Sequence, residues 1–77
     1  MSELPTYKMI KIVGVSQESI ADAVRNGVAR AAETLKGLDW FEVVEVRGAI
    51  KEGKVDCFQV VMNIGFRVMR PEDLTMG

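Results

Sequence analysis

The feature that most constrains this chain is a run near its end in which every second residue is apolar: Phe58, Val60, Met62, Ile64, Phe66 and Val68. Between them stand Cys57, Gln59, Val61, Asn63, Gly65 and Arg67. A period of two belongs to a strand, whose side chains point alternately to opposite faces, and the winding of a helix would mix the two sets. The first set is predicted to be the core face. Pro71 has no N–H to give to a ladder, so this strand is expected to close by Arg70.

The rest of the chain is organised around that strand. Tyr7 to Val13 is β-branched and partly alternating, with Ile10 and Ile12 on one face, and predicts a first strand. Gly14 and Ser16 interrupt it. Ser16 is placed as an N-cap, with Glu18 in the first turn where a carboxylate complements the helix dipole. Ile20, Val24, Val28, Ala31 and Leu35, widened by Ala23 and Gly27, follow the spacing of one helical face. Gly37 then suits a left-handed C′ position. A helix is therefore expected over 17–36.

Two valine- and aromatic-rich segments, 40–50 and 55–68, flank Lys51, Glu52, Gly53 and Lys54, and read as an antiparallel hairpin. The order is βαββ. The expected class is α+β, a three-stranded antiparallel sheet wrapped around one α-helix. One domain should span 1–77, with an ordered core over 6–68 and a C-terminal tail over 69–77.

Size makes this fold depend on partners. A chain of 77 residues holds one small core, and domains of this size commonly add a disulfide, a metal or an oligomer to their stability. Cys57 is the only cysteine and histidine is absent, so neither an internal disulfide nor a zinc or iron–sulfur site is expected. Self-association remains. It also fits the sheet: one helix covers one side, yet Trp40, Val44 and Val46 form an apolar alternating set on the other.

A net charge of -1 without basic runs argues against nucleic acid, and no apolar stretch predicts a membrane span or leader, so the expected location is the cytoplasm. Nor is an enzyme expected. There is no histidine, the lone thiol lies among strand residues, and no carboxylates pair at helical spacing. A binding role has more to stand on. Trp40 at a strand entry and Gln59 on the polar face of the neighbouring strand could offer a planar heterocycle both a π-surface and an amide for its polar edge. A single tryptophan also serves as an interface anchor, and an exposed arginine is commonly solvated or paired with a carboxylate such as Glu45.

The stretch Leu38-Asp39-Trp40-Phe41-Glu42-Val43, followed by Arg47-Gly48, Phe58-Gln59-Val60 and Val61 to Gly65-Phe66-Arg67, resembles the bacterial dodecins. So do Tyr7-Lys8, the strand through Val13-Gly14, Ser16 and Ala29-Arg30-Ala31. The likeness runs from about Tyr7 to Arg67. It implies twelve subunits closed into a hollow particle that stores or sequesters FMN or riboflavin without catalysis, as stacked pairs between symmetry-related tryptophans. By the same resemblance Trp40 matches the stacking residue, Gln59 the group at the pyrimidine edge, and Arg47 and Arg67 the arginines near the phosphate. Glu45 is a weaker candidate at the same site, or a ligand for a hydrated cation near a symmetry axis. Some bacterial members are also linked to coenzyme A, which gives the alternative of a coenzyme A binder or a structural oligomer with incidental flavin.

Overall fold

A computed structural model describes residues 4–70. The order is β1 (Tyr7–Ser16), α1 (Ile20–Ala32), β2 (Leu38–Lys51) and β3 (Lys54–Arg67), forming one antiparallel sheet in the order β1-β3-β2. The alternating run becomes the central strand for a topological reason. The hairpin lays β2 on one edge of β3, and the helix carries the chain back over the sheet, so β1 takes the other edge.

The predicted core face holds in its middle. Val60, Met62 and Ile64 are fully buried, and with Ala23 they form the core, backed by Ile10, Ile12, Val24, Val28, Ala31 and Leu38. Phe58 and Phe66 are half-buried, and Val68 lies beyond the strand and is exposed. The ladder ends at Arg67, short of Arg70, although the Val68 N–H still reaches the Thr6 carbonyl at 2.8 Å. The expected tail lies outside the described residues from position 71 onward.

Four sequence expectations shift locally. The helix is shorter than 17–36 and is capped by Ser19, whose hydroxyl accepts from Asp22 N–H at 2.9 Å. Ser16 instead ends β1 as the one buried polar residue among those described. Its hydroxyl accepts from the N–H groups of Glu18 and Ser19 and donates to the Asp22 carboxylate at 2.7 Å, fastening the strand to the helix start. At the other end Glu33 is the C-cap, so Gly37, with φ +74°, serves the turn into β2 and not the helix terminus. Gly14 does not break β1. It lies where the helix crosses, and a Cβ there would strike the Ala23 carbonyl oxygen.

The fourth shift concerns β2. Register slips between Leu38 and Trp40 and between Val43 and Glu45 mark bulges at Asp39 and Val44. A bulge inserts one unpaired residue and reverses the alternation after it. Val46 therefore pairs with buried Val60 on the helix side, so Trp40, Val44 and Val46 do not form one set. The helix packs on β1 and β3 and barely reaches β2, leaving Phe41, Val43 and Val46 each 46–48% exposed. One uncovered apolar strip is thus on the helix side of β2, beside the helix, while Met9, Val13, Val15 and Trp40 are exposed on the opposite face.

Candidate functional site

The face of the sheet away from the helix carries all five sequence candidates. Residues that pair across an antiparallel ladder share a face. Trp40 pairs with Gly65, Glu45 with Val61 and Arg47 with Gln59 in β2–β3, while Arg67 pairs with Tyr7 in β1–β3. The Val44 bulge makes this possible. Without it, the even-numbered Trp40 and the odd-numbered Glu45 and Arg47 would project to opposite sides.

The candidates form two clusters. The first is aromatic. Trp40 Cζ2, Cε2 and Cη2 all crowd the point where a Gly65 Cβ would stand, so the indole lies face-down on the bare backbone of β3. Its edge meets Tyr7 with ring centroids 4.8 Å apart and planes at 66°, a favoured geometry for two ring quadrupoles. Trp40 remains 40% exposed. The Tyr7 phenol donates a hydrogen bond to the Asp39 carboxylate, which with partial desolvation holds its pKa above the ordinary tyrosine value. Arg67, beside Tyr7, acts in the opposite direction.

The second cluster is polar. Arg47 Nε donates to Gln59 Oε1 at 3.1 Å, and Arg47 Nη1 lies 3.7 Å from Glu45 Oε1. Gln59 Nε2 lies 4.0 Å from Cys57 Sγ. Glu45 stands with an arginine and not with other carboxylates. Among the described residues no group of three or more histidine, cysteine, aspartate or glutamate side chains could hold a metal ion.

Six residue steps of uninterrupted strand separate Gly65, under Trp40, from Gln59, or about 20 Å at the rise of an extended chain. One subunit therefore does not bring the indole and the amide onto one small molecule. Tyr7, Asp39 and Gly65 are parts of the aromatic cluster to which the sequence reading gave no role. The pairing of a large aromatic with a strand glycine, which often marks a close approach, was the available signal.

Comparison with known proteins settles the family. The Dodecin family model matches residues 6–69. The chain belongs to the dodecin family. It is 48% identical over 62 residues to a dodecin of Thermus thermophilus, covering 80% of this chain and 90% of that one. Its backbone is similar to dodecin from Streptomyces davaonensis, with a TM-score of 0.86 at 48% identity, covering 88% of this chain and 100% of the other. Dodecin from Streptomyces coelicolor gives a TM-score of 0.84 at 47% identity, covering 86% and 94%. The βαββ order is the family's own. The chain is accordingly a small-ligand-binding protein of dodecin type, from a family of oligomeric, non-enzymatic binders. No helix among the described residues is long and apolar enough to cross a membrane.

Proposed function

We propose that this chain is a cytoplasmic flavin store: it sequesters FMN or riboflavin as stacked pairs at the subunit interfaces of a hollow homododecamer and quenches their photoreactivity. The observation that carries this reading is the Trp40 indole, supported from behind by Gly65, braced at its edge by Tyr7 and still 40% exposed. A fixed aromatic plane with solvent in front of it suits a flat tricyclic ligand. Offset stacking contributes about 0.5–1.5 kcal/mol per aromatic contact beyond the buried area. An indole in contact with an excited flavin can also donate an electron to it and take that electron back, which returns both rings to their ground states without net chemistry.

The other candidates divide the rest of the ligand. Gln59 offers donor and acceptor to the pyrimidine edge, Arg47 and Arg67 supply charge-assisted hydrogen bonds to the FMN phosphate, and Glu45 balances Arg47. The separation of about 20 Å between the aromatic and polar clusters supports a site completed by a second copy, with Trp40 from one subunit and Gln59 from another. Closed symmetry would also protect the two edge strands and cover Phe41, Val43 and Val46.

The test is a fluorescence titration of FMN with the purified protein, accompanied by light scattering. Wild type should run as a particle of twelve chains and quench FMN. Trp40→Ala should keep the particle and lose most affinity and quenching. An intact Trp40→Ala particle that quenches FMN at wild-type strength removes the tryptophan platform from the reading.

A further inference from the structure

Arg47 and Gln59 face each other across the β2–β3 ladder, and their contact runs from Arg47 Nε to Gln59 Oε1 at 3.1 Å. A guanidinium has donors and no acceptor, so it can meet a primary amide only through the amide oxygen. This removes the twofold ambiguity of the amide. Its oxygen is held toward Arg47, and its nitrogen falls 4.0 Å from Cys57 Sγ, a weak acceptor that leaves the N–H groups available. Glu45 holds the other end of the guanidinium, 3.7 Å from Nη1, so the arginine is itself fixed on two sides.

An amide fixed in this way presents a directional pattern: the second lone pair of Oε1 on the Arg47 side, and Nε2–H on the Cys57 side. An imide edge, with an N–H beside a carbonyl, meets both in one orientation. The positive guanidinium also polarises the amide and strengthens its N–H as a donor. Resting on the flavin reading above, we propose that Arg47 is a positioning residue: its Nε–H locks the amide of Gln59, so the polar edge of the ring is recognised independently of any phosphate. A role confined to phosphate would leave ligands without one unaffected.

The test titrates riboflavin and lumichrome, neither of which carries a phosphate, against the full chain as wild type, Arg47→Ala, Arg47→Lys, Gln59→Ala and the double variant Arg47→Ala/Gln59→Ala. Light scattering on each sample confirms the wild-type particle. Arg47→Ala is expected to weaken both ligands about three- to tenfold, the range of one net hydrogen bond. Arg47→Lys should not restore them, because a lysine ammonium lacks the fixed fork. The double variant should bind no more weakly than Gln59→Ala. Arg47→Ala or Arg47→Lys binding both ligands at wild-type strength would overturn the proposal, as would single losses that simply add in the double variant. Wild type that binds neither ligand would overturn the flavin reading before any substitution was compared.

Discussion

Gly65→Ala isolates the Trp40 platform without touching the indole. A Cβ at position 65 would overlap three atoms of the Trp40 ring, and the ring, already 40% exposed, is free to relieve the clash by swinging off the strand. The fold should survive. The edge contact with Tyr7 is worth about 0.5–1.5 kcal/mol beyond its buried area, largely offset by the about 0.5–1 kcal/mol that replacing a glycine within a strand returns. What remains is the apolar area that the ring re-exposes, at about 25 cal/mol per Å², so chemical denaturation should show a lower midpoint with unfolding still cooperative. Binding should fall through the lost platform. Stacking of a base on an aromatic platform is worth about 1–3 kcal/mol, which converts to a loss of about five- to 150-fold in FMN affinity for each displaced indole.

The control is the same substitution in Trp40→Ala. With no ring to displace, Gly65→Ala should then leave the remaining FMN affinity unchanged, which gives a coupling energy about equal to the effect of the single substitution. Fluorescence titration of the four proteins completes the cycle. An alanine at 65 that binds FMN within twofold of wild type would refute the argument. An equal loss with and without the indole would refute it as well.

Three further outcomes are expected. Tyr7 is the only tyrosine, so its phenolate absorbance can be followed directly. It should titrate above an ordinary tyrosine, and Asp39→Asn should lower its midpoint, because the carboxylate that accepts the phenol hydrogen bond is the largest cause of the shift. The neutral form is favoured in the folded state, so this contribution to stability is fully present below the ordinary tyrosine pKa and is lost as pH rises through the folded value. Gly14→Ala should lower the stability to denaturation by about 1–3 kcal/mol through overpacking, since the Ala23 carbonyl it meets is backbone; an unchanged midpoint would mean that the helix does not approach so closely. Arg67→Ala should weaken FMN more than riboflavin in parallel titrations, because an arginine fork acts on the phosphate, and equal losses would deny Arg67 that role.

Local pattern was enough to place most elements in this chain. The alternation from Phe58 to Val68 marked β3 and its buried face, the stripe from Ile20 through Val28 marked the helix, and Gly53 marked the hairpin, because each follows from how an extended or helical backbone directs its side chains. Resemblance from Leu38 through Arg67 pointed to the family and to Trp40, Arg47, Gln59 and Arg67. What the pattern could not contain was a change of phase. A bulge is set by pairing with another strand, so only the assembled sheet decides that Val44 is the inserted residue, that Val46 turns toward the helix, and that Arg47 joins the face of Trp40. The choice of Ser19 over Ser16 as the cap has the same origin, since Ser16 is drawn into the end of β1 by its register with Phe58. For the support of the indole the sequence held only the hint of a glycine inside a strand: Gly65 and Tyr7 lie far from Trp40 along the chain, and only the order β1-β3-β2 carries the ring across one and against the other.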